Sequence, residues 1–334
     1  MALSWYKRRM SDSLALLLDH LAADPSRRET LWRGWRIAPV AGGANNLLFR
    51  ATRGDDDYAV KFTVRDERRR AWREYTALAA LQHCGLAVAP RAMWLDETRC
   101  RQPVVVQTWL DGEGLSAPPA CGADWQALLG HYCAIHTLTP AHTSLDIADA
   151  VLNVAGGAAG KRLVREHAAR LPANAQPESL RVLLAWLDAW TPPEWQPPPR
   201  ALCRVDANWR NFIRRPAGWA SVDWENSGWG DPAFEIADLI THPAYADVPL
   251  SRWEPLCEEY AEMRRDAGAL QRIHTYITVM RVWWVVRAAR YLYEVPRGLD
   301  ARLASRPDDW LDDIRRKYDQ FVERAEGHIA GLRQ

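Results

Sequence analysis

The first part of the chain alternates between apolar and polar residues in short runs, which is the pattern of half-buried β-strands. One run contains Val104, Val105 and Val106 in succession, and such continuity is typical of a strand in the centre of a sheet. Helical spacing of apolar residues predicts helices over residues 11 to 23 and over Glu67 to His83. The predicted strands are Trp35 to Val40, Asn46 to Thr52, Tyr58 to Thr63, Arg91 to Leu95 and Pro103 to Trp109.

Beyond this part of the chain helical spacing dominates, except for short strands and loops between residues 202 and 239. The pattern breaks at residues 110 to 114, where we place the boundary between an N-terminal lobe, 1–110, and a C-terminal lobe, 111–334. The glycine-rich segment from Val154 to Lys161 is expected to be a flexible connection. The expected fold class is α+β, with a small antiparallel sheet followed by a larger, mainly helical lobe. The predicted helices of that lobe cover residues 124 to 138, 180 to 190, 254 to 267, 273 to 293 and 310 to 329.

Composition narrows the class of protein. With 334 residues, 48% of them apolar, the chain can bury the core of two lobes. A net charge of +1 gives no overall field that would recruit nucleic acid or an anionic membrane, so neither is an expected partner. Six scattered cysteines without a C-x-x-C pair argue against disulfides and zinc, and predict a reducing, cytoplasmic location. A monomer or a homodimer is expected. Leu14 to Leu18 is too short an apolar run to span a membrane.

The stretch from 202 to 239 carries the candidate chemistry. Asp206 and Asn211 lie five residues apart, and a turn at 216 to 218 lets Asp223 fold back towards both. Oxygen ligands of this kind suit Mg²⁺. Between Arg215 and Arg252 there are six carboxylates and no Lys or Arg. A solvated acidic surface is the simpler alternative, but the acids alternate with large apolar residues, which favours a buried cation site.

The N-terminal lobe contains further candidates. Gly42 and Gly43 join two predicted strands, either as an ordinary turn or as a flap whose N–H groups cover phosphates. Lys61 lies on a strand in opposite phase to its apolar neighbours, and Glu74 lies on the following helix, so an ion pair between them is expected. Taken alone, either residue is more often a surface charge.

In this order along the chain, these residues resemble the aminoglycoside phosphotransferase and choline kinase superfamily, relatives of the protein kinases. The resemblance covers roughly residues 35 to 295. Its most specific parts are the spacing from Asp206 to Asn211 and the run Val222 to Glu225 followed by Gly230-Asp231-Pro232. The resemblance implies a bilobal, protein-kinase-like fold and a kinase of small molecules that uses ATP, or GTP, with Mg²⁺.

The resemblance also implies a role for each residue. Lys61, held by Glu74, would bind the nucleotide phosphates, and Asn211 and Asp223 would hold Mg²⁺. Asp206 would orient the acceptor hydroxyl and take its proton. The remaining nucleotide contacts would come from the hairpin and from a hinge whose backbone reads the adenine edge, at Gly42, Gly43, Asn45, Gln107 and Trp109.

Arg204 departs from the family's pattern, because the catalytic loop usually begins His-x-Asp. In the family the histidine ties the catalytic loop to the metal-binding loop, a role that a guanidinium could fill. The cation of Arg204 would also lower the pKa of Asp206, which makes it a poorer base. We interpret Arg204 as a variation of an active enzyme; the alternative is a catalytically weak, pseudokinase-like protein that binds nucleotide.

The acceptor is less defined. The acidic run favours a cationic molecule such as an aminoglycoside or an amino alcohol, held by Glu225, Asp231 and Glu235. Choline or ethanolamine is an alternative, with cation-π contacts from the rings of a long C-terminal helix, although core packing explains such rings equally well. Neutral sugars are a further alternative for the acceptor. A different class of function, a tryptophan-rich protein that binds a partner, is also left open. The rings concerned are Trp283, Trp284 and Tyr291.

Overall fold

The computed structural model describes residues 11–23, 28–41, 45–303 and 305–332. The N-terminal part forms a six-stranded sheet with the order β1-β2-β3-β4-β6-β5, in which all neighbours are antiparallel. The three valines of β6 are fully buried between β4 and β5, as predicted. The strands are β1 (Thr30–Trp32), β2 (Trp35–Pro39), β3 (Leu47–Arg53), β4 (Asp56–Phe62), β5 (Ala92–Asp96) and β6 (Val104–Thr108).

Two helices pack on this sheet. Helix α1 (Asp12–Ala23) buries four of its five leucines in one apolar cluster with Trp35 and Phe49 of the sheet. Helix α2 (Arg70–His83) begins three residues later than predicted. The reason is local: Asp66 accepts the N–H of Arg68, and Arg69 has a left-handed φ of 53°, so the chain forms a turn before the helix.

The C-terminal part is mainly helical, and α8 forms its centre by packing against α4, α6 and α9. Two small sheets, β10-β9-β7 and β11-β8, carry the loops of the candidate site. The helices are α3 (Gly122–Ile135), α4 (Gly157–Ala169), α5 (Glu178–Ala189), α6 (Pro232–Thr241), α7 (Trp253–Arg264), α8 (Ala269–Glu294) and α9 (Trp310–Gly331). The strands are β7 (Glu113–Gly114), β8 (Ala201–Cys203), β9 (Phe212–Arg214), β10 (Ala220–Ser221) and β11 (Gly228–Gly230).

The glycine-rich segment is not the flexible connection that its composition predicted, because α4 begins at Gly157. Its glycines allow close packing: a Cβ on Gly160 would lie 2.6 Å from a methyl carbon of Val279 on α8. Small residues were therefore selected here by helix contact rather than by flexibility.

The α+β fold, with an antiparallel N-terminal sheet and a mainly helical C-terminal part, is confirmed. All six cysteines are free, as expected. Among the described residues, no helix combines the length and apolarity that crossing a membrane requires.

Candidate active site

The loop after β8 holds the backbone in an unusual conformation. Val205 and Asp206 have φ angles of 60° and 72°, in the left-handed region that a β-branched residue rarely adopts. Buried Glu235 accepts the N–H groups of Arg204 and Val205 with one oxygen, both at 2.8 Å, and its other oxygen lies 2.8 Å from His136 Nε2. Glu235 therefore supports a strained loop from below. The expectation that it contacts an acceptor is corrected, since both of its oxygens are engaged inside the protein.

Arg204 joins the two loops of the site. Its guanidinium, fully buried, donates from Nη1 to the carbonyl of Val222 at 3.2 Å and from Nη2 to the carbonyl of Asp206. It also lies over the ring of Phe212, 4.9 Å from the ring centre. Val222 directly precedes Asp223, and Asp206 is the proposed catalytic group. Arg204 therefore ties the catalytic loop to the loop of the proposed metal ligand, as the resemblance implied for this position.

The carboxylate of Asp206 is 31% exposed and has several donors around it. Its Oδ2 accepts from Asn211 Nδ2 at 3.2 Å, and its Oδ1 lies 3.4 Å from His242 Nε2. Burial would raise the pKa of Asp206, but the hydrogen bond from His242, and after it the charge of Arg204, lower it to about 2. The low pKa expected from Arg204 therefore depends more on His242.

Sequence reasoning missed His242. It follows α6 directly, and its Nδ1 accepts the N–H of Ala244 at 3.1 Å, which leaves the ring proton on Nε2, the nitrogen that faces Asp206. A lone histidine before Pro243 carries no spacing signal, so only the fold could identify it.

Lys61 connects the two halves of the site. Its side chain is buried, and Nζ lies 2.7 Å from Glu74, 3.4 Å from Glu225 and in contact with Asp223. The predicted ion pair with Glu74 is thus present. Burial alone would lower the pKa of Lys61, yet Asp223, Glu74 and Glu225 raise it well above its usual value, so the amine stays protonated.

Three carboxylates, those of Glu74, Asp223 and Glu225, surround the single cation of Lys61. Ligand atoms of Glu74, Asp223 and Glu225 lie within 4.8 Å of one another. Burial, opposed by Lys61, raises the pKa of Glu74 to about 7 and also raises that of Asp223. Asp223 is 33% exposed, and Asn211 donates its amide N–H to Asp206, which leaves the amide oxygen as a ligand. This oxygen-rich and electron-rich set fits a hard divalent cation.

Glu225 belongs to this network and not to an acceptor pocket. It accepts from Asn46 Nδ2 at 2.6 Å and from Arg70 Nη1 at 2.7 Å, and both donors come from the N-terminal part. The expectation that it holds the acceptor is corrected, since the side chain is buried across the junction of the two halves. Asn46 and Arg70 were not predicted; neither stands in a recognisable spacing to Glu225.

Asp231 is also internal. It caps α6 by accepting the N–H of Ala233 at 3.0 Å, and it pairs with Arg272 at 3.0 Å and with the hydroxyl of Tyr276 at 2.8 Å. Because this carboxylate is buried and paired with Arg272, its predicted contact with an acceptor is corrected as well.

Two backbone N–H groups of the predicted hinge, which was expected to bind an adenine edge, are engaged inside the protein. The N–H of Thr108 donates to the carbonyl of Arg91 at 3.0 Å, and that of Trp109 to the carbonyl of Asp57 at 2.8 Å, so neither is available to an adenine base. Gln107 lies buried within the sheet.

The hairpin is only partly described. Gly42 and Gly43 lie outside the described residues. The described part begins at Asn45, whose carbonyl accepts the N–H of Leu303 at 2.9 Å.

The three predicted rings share helix α8 but have different surroundings. Trp284 packs edge-on against His242, with 5.3 Å between ring centres. Because His242 also contacts Asp206, the imidazole lies between Trp284 and the carboxylate. Trp283 lies 4.9 Å from Trp284. The face of Tyr291 is covered by the guanidinium of Arg287 at 3.8 Å.

The site therefore combines a lysine–glutamate pair, an aspartate–asparagine loop and a second aspartate, Asp223, which Lys61 contacts. A sequence model of the phosphotransferase enzyme family, APH, matches residues 36–270, a range that contains each of these groups. The chain belongs to this phosphotransferase family. Searched by sequence, the curated proteins contain no match to it.

Solved structures support the fold of this phosphotransferase. A choline/ethanolamine kinase family protein from Mesorhizobium loti is 17% identical, with 94% of each chain covered and a TM-score of 0.55. Choline kinase from Cryptosporidium parvum Iowa II is 10% identical, with 95% of this chain and 96% of that chain covered and a TM-score of 0.60. A thermostable mutant of aminoglycoside phosphotransferase APH(4)-Ia, in a ternary complex with ADP and hygromycin B, is 14% identical, with 86% and 93% covered and a TM-score of 0.53.

Proposed function

We propose that this phosphotransferase is an ATP- and Mg²⁺-dependent kinase that transfers a phosphoryl group to a hydroxyl of a small molecule. The observation that supports it most is the contact of Lys61 with both Glu74 and Asp223, which joins the N-terminal sheet to the loop beside Asp206. In this assignment residues 1–110 form the nucleotide-binding lobe, and residues 111–334 carry the catalytic loop and the acceptor pocket.

Each group then has a physical task. Lys61 binds phosphate oxygens through its ammonium group. Three neighbouring carboxylates raise the pKa of this amine and so keep it protonated. Asn211 and Asp223 would hold Mg²⁺, which neutralises charge on the transferring phosphoryl group when bound. Asp206 accepts a hydrogen bond from the acceptor hydroxyl and orients it. Because phosphoryl transfer depends chiefly on positioning and charge neutralisation, a carboxylate with a pKa of about 2 can serve in this way.

The charge of the acceptor has to be reconsidered. An aminoglycoside or an amino alcohol was favoured because six carboxylates follow Arg215. Glu225, Asp231 and Glu235 are buried and already paired, so these three acids give no support to a cationic acceptor. The class of reaction does not depend on them.

The test is ATP consumption with Mg²⁺ across a panel of aminoglycosides, amino alcohols, sugars and hydroxy acids. Asp206→Asn and Asp223→Ala should each lower turnover about 100-fold or more. Asp247→Asn, an exposed position of the same acidic run, is the matched control and should be unchanged. Turnover that survives both active-site substitutions would refute the assignment, and ATP binding without transfer to any acceptor would identify the weak, pseudokinase-like alternative.

A further inference from the structure

A group of basic side chains lies where the turn before α2 meets the C-terminal ends of α4 and α8. We call Arg68, His167, Arg170, Arg287 and Arg290 the basic cluster. Arg290 Nη1 donates to His167 Nδ1 at 3.1 Å. Burial, and then the charges of all four arginines, lower the pKa of His167 to about 4, so this ring is neutral and accepts.

The carboxylates near the basic cluster are already used. Glu294 pairs with Arg290, while Asp66 and Glu225 pair with Arg70. Arg68 and Arg287 differ from Arg290, because neither has an ion pair with a carboxylate in the described part of the chain.

Within the described part of the chain, the half-buried side chain of Arg68 has no hydrogen bond or ion pair. Burial, and then Arg70 and Arg287, lower its pKa. Arg287 bonds only to the hydroxyl of Tyr291, at 2.6 Å, among the residues that the structure describes. Among the described residues, neither Arg68 nor Arg287 therefore has an ion pair. The charges of Asp66 and Glu225 raise the pKa of Arg68, but by less than burial, Arg70 and Arg287 lower it.

A series of side-chain contacts connects the basic cluster to Asp206. Contacts run from Asp206 to His242 at 3.4 Å and from His242 to Trp284 at 5.3 Å between ring centres. They continue from Trp284 to Trp283 at 4.9 Å and from Trp283 to His167 at 5.6 Å. On α8, Arg287 follows the two tryptophans by one helical turn, which places it on the same side of the helix.

The tryptophans add unused donors to the same region. The indole N–H groups of Trp283 and Trp284 are buried and have no acceptor among the described residues, and Trp283 is only 7% exposed. Buried donors of this kind are normally paired. Two guanidiniums without an ion pair, in the same region as two indole N–H groups without an acceptor, favour a ligand that accepts hydrogen bonds and carries negative charge.

We propose that the hydroxyl-bearing acceptor also carries an oxyanion, a carboxylate or a phosphate, bound by Arg68 and Arg287 with indole N–H groups beside them. Guanidinium forks bind both kinds of oxyanion in two-pronged geometry. The inference rests on the proposed function, because it places the reacting hydroxyl at Asp206. A quaternary ammonium would be repelled at the same place, since Arg287 already occupies the face of Tyr291.

The experiment measures binding separately from catalysis. The nucleotide site is filled with Mg²⁺ and AMP-PNP, and melting temperature is followed during titration with glucose, glucosamine, glucuronate and glucose 6-phosphate. Inorganic phosphate is titrated as a probe that does not depend on the scaffold. An anionic probe should bind about 10-fold or more tightly than the neutral or cationic sugar. The carboxylate and phosphate arms identify which oxyanion is preferred.

Arg68→Gln and Arg287→Gln should each weaken anion binding about 10- to 100-fold. Arg315→Gln removes a cation from an exposed pair on α9 and should leave it unchanged. Equal or tighter binding of the cationic sugar, absence of any preference for an anion, or an unchanged affinity in both variants would overturn the inference. Selective anion binding without phosphoryl transfer to any acceptor would instead refute the proposed function and leave the anion site standing.

Discussion

His242 Nε2 lies 3.4 Å from Asp206 Oδ1, and the N–H of Ala244 fixes the ring so that the proton faces the carboxylate. Trp284 packs edge-on against the same imidazole. His242 is thus a positioning residue for Asp206, because it holds the carboxylate ionised and in one orientation before a substrate arrives.

Replacement of His242 should change the titration of Asp206. His242→Phe removes the hydrogen bond that lowers the pKa of Asp206, so that pKa rises. The acid limb of the kcat/KM profile should move to higher pH, and kcat should fall about 10-fold. The pH–rate profile of the variant checks this, with His242→Gln as the conservative comparison that keeps an N–H donor. An acid limb at the wild-type position would contradict the assigned contact.

The Lys61 network should be sensitive to loss of its cation. Lys61→Ala leaves buried Glu74 and Glu225 and half-buried Asp223 without their common partner. The free energy of unfolding should fall by about 3 kcal/mol or more at pH 8, and by less at pH 5.5, where Glu74, whose pKa is already raised to about 7, takes up a proton. Urea unfolding at both pH values tests it. Lys317→Ala, in an exposed pair, is the control and should change stability by less than about 0.5 kcal/mol.

Arg204→His restores the residue that the family usually has, and it separates the two interpretations of Arg204. The guanidinium makes two bonds at once, to the carbonyls of Val222 and Asp206, which an imidazole cannot reproduce from the same position. We therefore expect kcat to fall or stay the same. A rise of about 10-fold or more would show that Arg204 had weakened the enzyme.

Acid should destabilise the protein through His131. This buried ring bonds to Ser221 Oγ at 3.0 Å and to the carbonyl of Trp219 at 3.2 Å, and burial lowers its pKa from 6.5 to about 3. Between these values the unfolded chain binds the proton and the folded chain does not, so stability is complete above pH 6.5 and falls with the pH below it. His131→Gln should remove about 1.4 kcal/mol per pH unit from that slope. Urea titrations at pH 7, 6 and 5 measure it, with the exposed His83→Gln as the matched variant.

Helix packing can be tested at two glycines. Gly160→Ala places a methyl group 2.6 Å from Val279 and should destabilise the protein by about 1–3 kcal/mol. Gly327→Ala on α9 meets nothing within 4 Å and should stabilise by about 0.5–1 kcal/mol. The midpoint of thermal unfolding should therefore move in opposite directions. Movement in the same direction would mean that α4 does not pack on α8 this closely.

Much of the fold was predictable because it is local. The period of apolar residues located five of the six strands of the N-terminal sheet and most of the helices; β1 was not predicted. Lys61 and Glu74 could be paired because strand phase and helix face fix where each side chain points. Helix α4 was missed because glycine lowers helix propensity, and only contact with Val279 explains why Gly160 lies inside a helix. The start of α2 was misplaced because the conformation of Arg69 leaves no clear sequence signal.

The sequence by itself determined the order of the chemical groups and the two-part α+β fold, since spacing and period act within one element. Tertiary structure decided which charge meets which. Glu225, Asp231 and Glu235 look alike along the chain. They became a junction acid, a helix cap and a loop support once the guanidiniums of Arg70 and Arg272 and the backbone N–H of Arg204 reached them from distant elements. The partner of a charge depends on distances in space, and the chain's local pattern contains no record of contacts made by residues far apart.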